Sequence, residues 1–144
     1  MTNKLAVMQQ IIAAWHHQDV EGVLAHCTDD IVWHNSSGYA PAVQGKAAMR
    51  AALAAMAPVI ERSAWRLFEW AERGNVLFTE GVDEFWTKSG AHVVVPYIGA
   101  FEYRGDQVCN WREYYDGRIS SEMKKGAPLT DELKTLIGRP AIGG

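Results

Sequence analysis

Apolar residues recur along this chain with two periods, one helical in the first third and one strand-like from the middle onward. Leu5, Met8, Ile11, Ile12 and Trp15 fall on one helical face, and Thr2 or Asn3 can cap it, so residues 3 to 17 are expected to form an amphipathic helix. A shorter helix follows, capped by Asp19 and striped by Val20, Val23, Leu24 and Cys27, until Thr28-Asp29-Asp30 interrupts it. Residues 31 to 35 predict a short strand with Trp33 and Asn35 on one side and His34 on the other, and the Gly/Pro/Ser-rich run 36 to 45 predicts a loop. The alanine-rich stretch Lys46 to Ala57 reads as a third helix, with Met49, Ala52, Leu53 and Met56 on one face and Pro58 closing it. Residues 63 to 73 then read as a strand that splits Trp65, Leu67, Phe68 and Trp70 between its faces, and Gly74-Asn75 turns the chain.

The stretch from 76 to 116 predicts three consecutive strands joined at Ser89-Gly90 and Gly105-Asp106. Beyond it the pattern breaks down through Gly117, Gly126 and Pro128, and Thr130-Asp131 caps a short helical turn carrying Leu133, Leu136 and Ile137 before a flexible Gly/Pro tail. Helices first and antiparallel strands after predict an α+β fold, a curved sheet wrapped around three N-terminal helices. At 144 residues one domain is expected, with its core over about 5–120 and a C-terminal tail at 121–144.

Alternation along the central strands puts Leu77, Thr79, Gly81, Asp83 and Phe85 on one face, and Cys109, Trp111, Glu113 and Tyr115 on one face of the last strand. Each set is mostly apolar and carries one carboxylate, which is costly to bury unless paired or hydrogen-bonded. Two such groups on neighbouring segments point to a pocket. A one-residue slip in register, exposing them to solvent, or an arginine that satisfies them is the alternative. Even-numbered residues such as Phe78, Val94, Ile98 and Tyr114 would line the outer, convex face. Asn35 at a strand end is most often a turn residue and less often a ligand to substrate or water. The methionines of the third helix serve either as core or as a pliable cavity wall.

Composition narrows the partner. The net charge is -3, from 14 basic and 17 acidic residues with no basic run, so neither nucleic acid nor an anionic membrane surface is expected. A small neutral or weakly polar ligand fits better, and six Trp and five Tyr suit either a core or a hydrophobic ligand site. Cys27 and Cys109 lack metal or redox spacing and are expected to be buried thiols, and His16, His17 and His26 are expected at the surface or at helix ends, so no metal site is predicted. The N-terminal residues contain no continuous apolar run, and a cytoplasmic location is expected.

Three pieces, Glu80-Gly81-Val82-Asp83, Gly99-Ala100-Phe101 and Trp111-Arg112-Glu113-Tyr114-Tyr115-Asp116, together with Asn35 upstream, resemble the NTF2-like superfamily. That superfamily includes the SnoaL-like and ketosteroid isomerase folds, and within it the chain is most similar to the limonene-1,2-epoxide hydrolase group. The resemblance implies a cone-shaped fold, a homodimer formed through the convex face, no cofactor and no metal. It also implies that Asp83 protonates an epoxide oxygen, Glu113 takes a proton from water and Asn35 holds that water. Trp33, Gly81, Phe85, Val95, Tyr97, Trp111, Tyr115 and Met56 are the substrate-binding residues expected around them. In two places this chain departs from the family pattern. Trp33 stands where the family has a water-holding Tyr, and Gly81 where it has an Arg between the two acids. Without that Arg the two acids are expected to share a proton, and Gly81 is expected to enlarge the pocket. The alternatives are a SnoaL-like isomerase, cyclase or dehydratase using Asp83 as proton carrier, or a binding module without catalysis. Ketosteroid isomerase chemistry is disfavoured, because Ile11, Asn35 and Ile98 stand where that family has Tyr and two Asp residues.

Overall fold

The computed structural model describes residues 2–143. The first half of the chain carries three helices: α1 (Lys4–His16), α2 (Val20–Leu24) and, after β1 (Cys27–His34) and β2 (Val43–Gln44), α3 (Lys46–Met56). Asn3 caps α1 by accepting from the Ala6 N–H at 3.0 Å, and Asp19 caps α2 by accepting from the Gly22 N–H at 3.0 Å. Then follow β3 (Ile60–Ser63), β4 (Arg66–Arg73), β5 (Val76–Thr87), β6 (His92–Arg104), β7 (Gln107–Tyr114), α4 (Gly117–Lys124) and α5 (Asp131–Ile137).

The strands form one sheet in the order β2-β1-β7-β6-β5-β3, with β4 also paired to β5. The sheet is mixed because β1 runs parallel to β7 while the other pairs are antiparallel. Register shifts in the β3–β5, β4–β5 and β6–β7 pairings let the long strands curl. The concave face closes over α1, where Met8, Ile11, Ile12 and Trp15 pack with Leu77, Phe101 and Trp111 in one core. Tyr103 ties the two layers by donating from its hydroxyl to the Lys4 carbonyl at 2.9 Å.

The expected α+β layout is the observed one, with local corrections. Cys27 begins β1 instead of ending α2, since Thr28 is buried and the chain pairs with Val108 from Cys27 onward. The expected strand 63–73 is two strands, β3 and β4, interrupted at Ala64-Trp65. Cys109 is only half-buried, whereas Cys27 is fully buried.

The largest correction concerns the C-terminus. Pairing of β7 with β6 ends at Ile98↔Tyr114, which leaves the 92–97 half of β6 with a free edge. Helix α4 covers that edge: Asp116 caps it, and the Val94 N–H donates to Met123 Sδ at 3.2 Å. Val94 is therefore fully buried and does not belong to an exposed convex patch. Helix α5 and the residues after it dock on the sheet as well. Ile142 donates its N–H to the Leu67 carbonyl at 2.8 Å, and Arg139 pairs with Glu80 at 3.1 Å while lying over the Phe68 ring. The expected flexible tail is thus anchored through residue 142.

Candidate active site

The open end of the cone holds a cavity of about 170 Å³, walled by strands of the sheet, α1 to α3 and α4. Register explains which side chains meet there. On β5, Asp83 pairs with Val95 of β6, and Gly81 pairs with Tyr97. On β7, Glu113 pairs with Gly99 of β6, and Trp111 pairs with Phe101 and, across the parallel edge, with Trp33. Cross-strand partners share a face, so Asp83, Tyr97 and Glu113 run diagonally across three strands of the concave face. Asn35 lies one residue beyond His34, which pairs with Arg112, and so comes level with Glu113.

Trp33, Asn35, Met56, Asp83, Phe85, Val95, Tyr97, Trp111, Glu113 and Tyr115 all line this cavity. Gly81 does not. A Cβ on Gly81 would lie 2.4 Å from the Arg66 carbonyl oxygen and 3.0 Å from the Tyr97 hydroxyl, so the space is already filled. The expectation that Gly81 enlarges the pocket is wrong, because the missing side chain leaves no void: β4 approaches from one side and a phenol from the other. Sequence reading had also left out Trp65, Leu53, Trp15 and Val23, and on α4 Ser120 and Lys124. The last two, one helical turn apart, put the only cation among the lining residues at the mouth. Their signal in the sequence was a capping Asp116 followed by Ile119 and Met123 at helical spacing.

The two acids are held differently. Glu113 Oε1 accepts from the Trp111 indole N–H at 2.8 Å. Burial pushes its carboxyl up to about 7; the Trp111 N–H opposes this, the neighbouring charge of Asp83 adds to it, and the nearby Trp33 opposes it again. Burial pushes Asp83 up to about 6, partly offset by the Lys124 charge. Among the described residues Asp83 Oδ1 has no hydrogen-bond partner, and the Trp33 Nε1–H, though near Glu113, makes no bond of good geometry. Both groups keep contact with the cavity, and in a folded protein such orphaned polar atoms mark where a ligand or water is to bind.

Among the described residues no arginine lines the cavity, and those on β6 and β7 are engaged elsewhere. Arg104 pairs with Asp30 at 3.0 Å in the open, and Arg112 binds Glu102 and Asn110 on the far face of the sheet. The loop after β1 is pinned by Ser37, whose Oγ accepts from the Tyr115 N–H at 2.8 Å and donates to the Tyr115 carbonyl at 3.0 Å. Tyr115 in turn donates its hydroxyl to the Asn35 carbonyl. These bonds fix the backbone of Asn35 and leave its side-chain amide for the cavity. Among the described residues no group of three or more His, Cys, Asp or Glu side chains is placed to hold a metal ion, and no helix is long and apolar enough to cross a membrane.

The SnoaL-like domain family matches residues 8–111. No curated protein matches the chain. Among solved structures, an LEH-like epoxide hydrolase of M. tuberculosis is 20% identical, with 83% of this chain and 87% of that one covered at a TM-score of 0.72. A protein assigned as a SnoaL-like polyketide cyclase from Shewanella putrefaciens is 10% identical, over 88% and 99% of the two chains, at a TM-score of 0.75. A protein with a ketosteroid isomerase-like fold from Catenulispora acidiphila, solved with trimethylamine, is 18% identical over 89% and 96% of the chains, at a TM-score of 0.74. At these identities the likeness is one of fold: a curled, mixed half-barrel sheet of the NTF2-like kind with helices in its hollow.

Proposed function

The chain belongs to the SnoaL-like family, and on that premise we propose that it is an epoxide hydrolase-like enzyme that adds water to an epoxide on a small apolar molecule. The observation that carries this reading is the pair of cavity carboxyls, Asp83 and Glu113, both raised toward neutrality by burial, with the Asp83 charge felt at Glu113. Two such groups titrate as a unit and hold one proton between them near pH 6 to 7. One protonated acid and one carboxylate is what a concerted opening requires. Glu113, level with Asn35 and near the Trp33 N–H, fits the base. Asp83, with an unpartnered oxygen on the lumen, fits the acid facing the epoxide oxygen; Glu113 is pushed higher and holds the shared proton at rest, so the reactive arrangement is the less populated one, with that proton on Asp83.

The step balances without a covalent intermediate. The water oxygen attacks an epoxide carbon as its proton passes to Glu113. The opposite ring C–O bond breaks, its electrons going to the departing oxygen, which takes the Asp83 proton. A vicinal diol results, and the two carboxyls have exchanged protonation. A cavity of about 170 Å³ is close to the roughly 150 Å³ that accommodates benzene, so a single ring fits the depth and larger substrates must project past Lys124 and Met56. No cofactor is part of this scheme. Turnover of small cyclic epoxides by the purified protein, followed as diol, tests it; Asp83→Asn and Glu113→Gln should each remove most activity. Full activity in either variant would overturn that residue's role.

One feature favours a second reading. Trp33 replaces the Tyr expected to hold the water, and an indole N–H donates but cannot accept. An isomerase or cyclase in which Asp83 carries a proton without activating water does not need that acceptor. In either case we propose a homodimer through the outer sheet face, where Phe78, Ile98 and Tyr114 are 40%, 50% and 51% exposed. The two free cysteines suit a cytoplasmic setting.

A further inference from the structure

Tyr97 is bonded in a way that substrate binding alone does not require. The Trp65 indole N–H donates to its hydroxyl oxygen at 2.5 Å. An indole can only donate, so Tyr97 is the acceptor in that bond and its own proton is left for another partner. Among the described residues no hydrogen bond of good geometry takes that proton; the neighbouring Thr79 hydroxyl is near enough to lower the Tyr97 pKa but makes no bond of good geometry itself. Tyr97 lies on β6 between Val95, the partner of Asp83, and Gly99, the partner of Glu113, and its side chain lines the same cavity. Its hydroxyl also lies 3.0 Å from where a Cβ on residue 81 would stand. Burial and the two nearby carboxyls raise its pKa, so it remains a phenol and keeps a proton to donate.

Resting on the hydrolase reading, we propose that Tyr97 donates a hydrogen bond to the substrate oxygen on which negative charge develops as the C–O bond breaks. Gly81 and Tyr97 then form one device. The glycine lets β4 and the phenol close in, and the phenol supplies from β6 the positive end of a dipole where the resembling hydrolases place a guanidinium. A hydroxyl that accepts a hydrogen bond becomes a better donor, which is the contribution of Trp65. The phenol keeps its proton throughout, and the proton transferred to the oxygen remains that of the acid pair.

The test uses Tyr97→Phe, which preserves ring volume, with two readouts. On cyclohexene oxide, kcat should fall about 10²-fold while KM stays within about twofold, as for loss of a donor that strengthens only in the transition state. With 2-cyclohexen-1-one, a non-epoxide probe whose ultraviolet band moves to longer wavelength when its carbonyl accepts a hydrogen bond, the native protein should show the red shift and Tyr97→Phe should lose it. Trp65→Phe should reduce both effects by less. A kcat within about threefold of native in Tyr97→Phe overturns the proposal. So does an enone shift that persists in that variant or is missing from the native protein. If no epoxide is turned over but the enone shift depends on Tyr97, the donor role stands and the hydrolase reading falls.

Discussion

Gly81 and Tyr97 face each other across the β5–β6 pair with no spare volume: a Cβ on the glycine would lie 3.0 Å from the tyrosine hydroxyl and 2.4 Å from the Arg66 carbonyl. The first contact is with the end of a side chain and can relax, but the second is with a backbone carbonyl held by the β4–β5 pairing and cannot. Gly81→Ala should therefore lower the melting temperature and displace Tyr97, and Gly81→Arg should fail to fold or lose the cavity, as judged by thermal unfolding and near-ultraviolet circular dichroism. An arginine tolerated at 81 with native stability would show that the strands open more freely than their packing implies.

Raised carboxyl pKa values also make a statement about stability. In the unfolded chain Asp83 and Glu113 ionise near ordinary carboxyl values; in the fold they hold their protons to about 6 and about 7. Between those limits the folded state binds more protons, so unfolding free energy falls as pH rises from about 4 to about 7. The contribution is present below the unfolded values and is lost above the folded ones. Glu113→Gln should flatten the slope and stabilise the protein at pH 8 by on the order of 1–3 kcal/mol while removing activity. Urea unfolding of both proteins at pH 5 and pH 8 measures this, and an unchanged slope would show that Glu113 is not desolvated.

Lys124 is the lining cation that the sequence reading did not include. Its charge favours the ionised form of Asp83, so Lys124→Gln should move Asp83 upward and shift the acid limb of the pH–rate curve to higher pH. Lys124→Arg should leave the limb in place. A limb indifferent to both changes would remove Lys124 from the electrostatics of the pair.

The positions of Asp83 and Glu113 were legible because a strand has a period of two and each acid interrupts an otherwise apolar face. What the pattern could not show was interlayer contact. Thr28-Asp29-Asp30 looks like a helix stop, yet Thr28 is buried because β1 joins the sheet edge there. Helix α4 is short, begins on Gly117 and carries two Ser, and it is held by an open edge of β6 more than by its own propensity. A glycine in a sequence reads the same whether it leaves room or permits close approach, so only coordinates could tell that Tyr97 fills the place beside Gly81.

Phe78, Ile98 and Tyr114 form the exposed apolar part of the outer face, with Ile98 directly opposite Tyr114. If this face pairs two copies, sedimentation at micromolar concentration should give a dimer, and Ile98→Glu should give a monomer that still folds. A native monomer under those conditions would contradict the proposed assembly.

Direct hydration by an acid pair is tested most closely by a single turnover of cyclohexene oxide with enzyme in excess in ¹⁸O-labelled water. The account predicts a diol carrying the label and Asp83 and Glu113 peptides free of it by mass spectrometry. Label appearing in either carboxyl, with the diol oxygen drawn first from the protein, would replace direct hydration by a covalent route. No diol above the uncatalysed rate would contradict the hydrolase assignment itself.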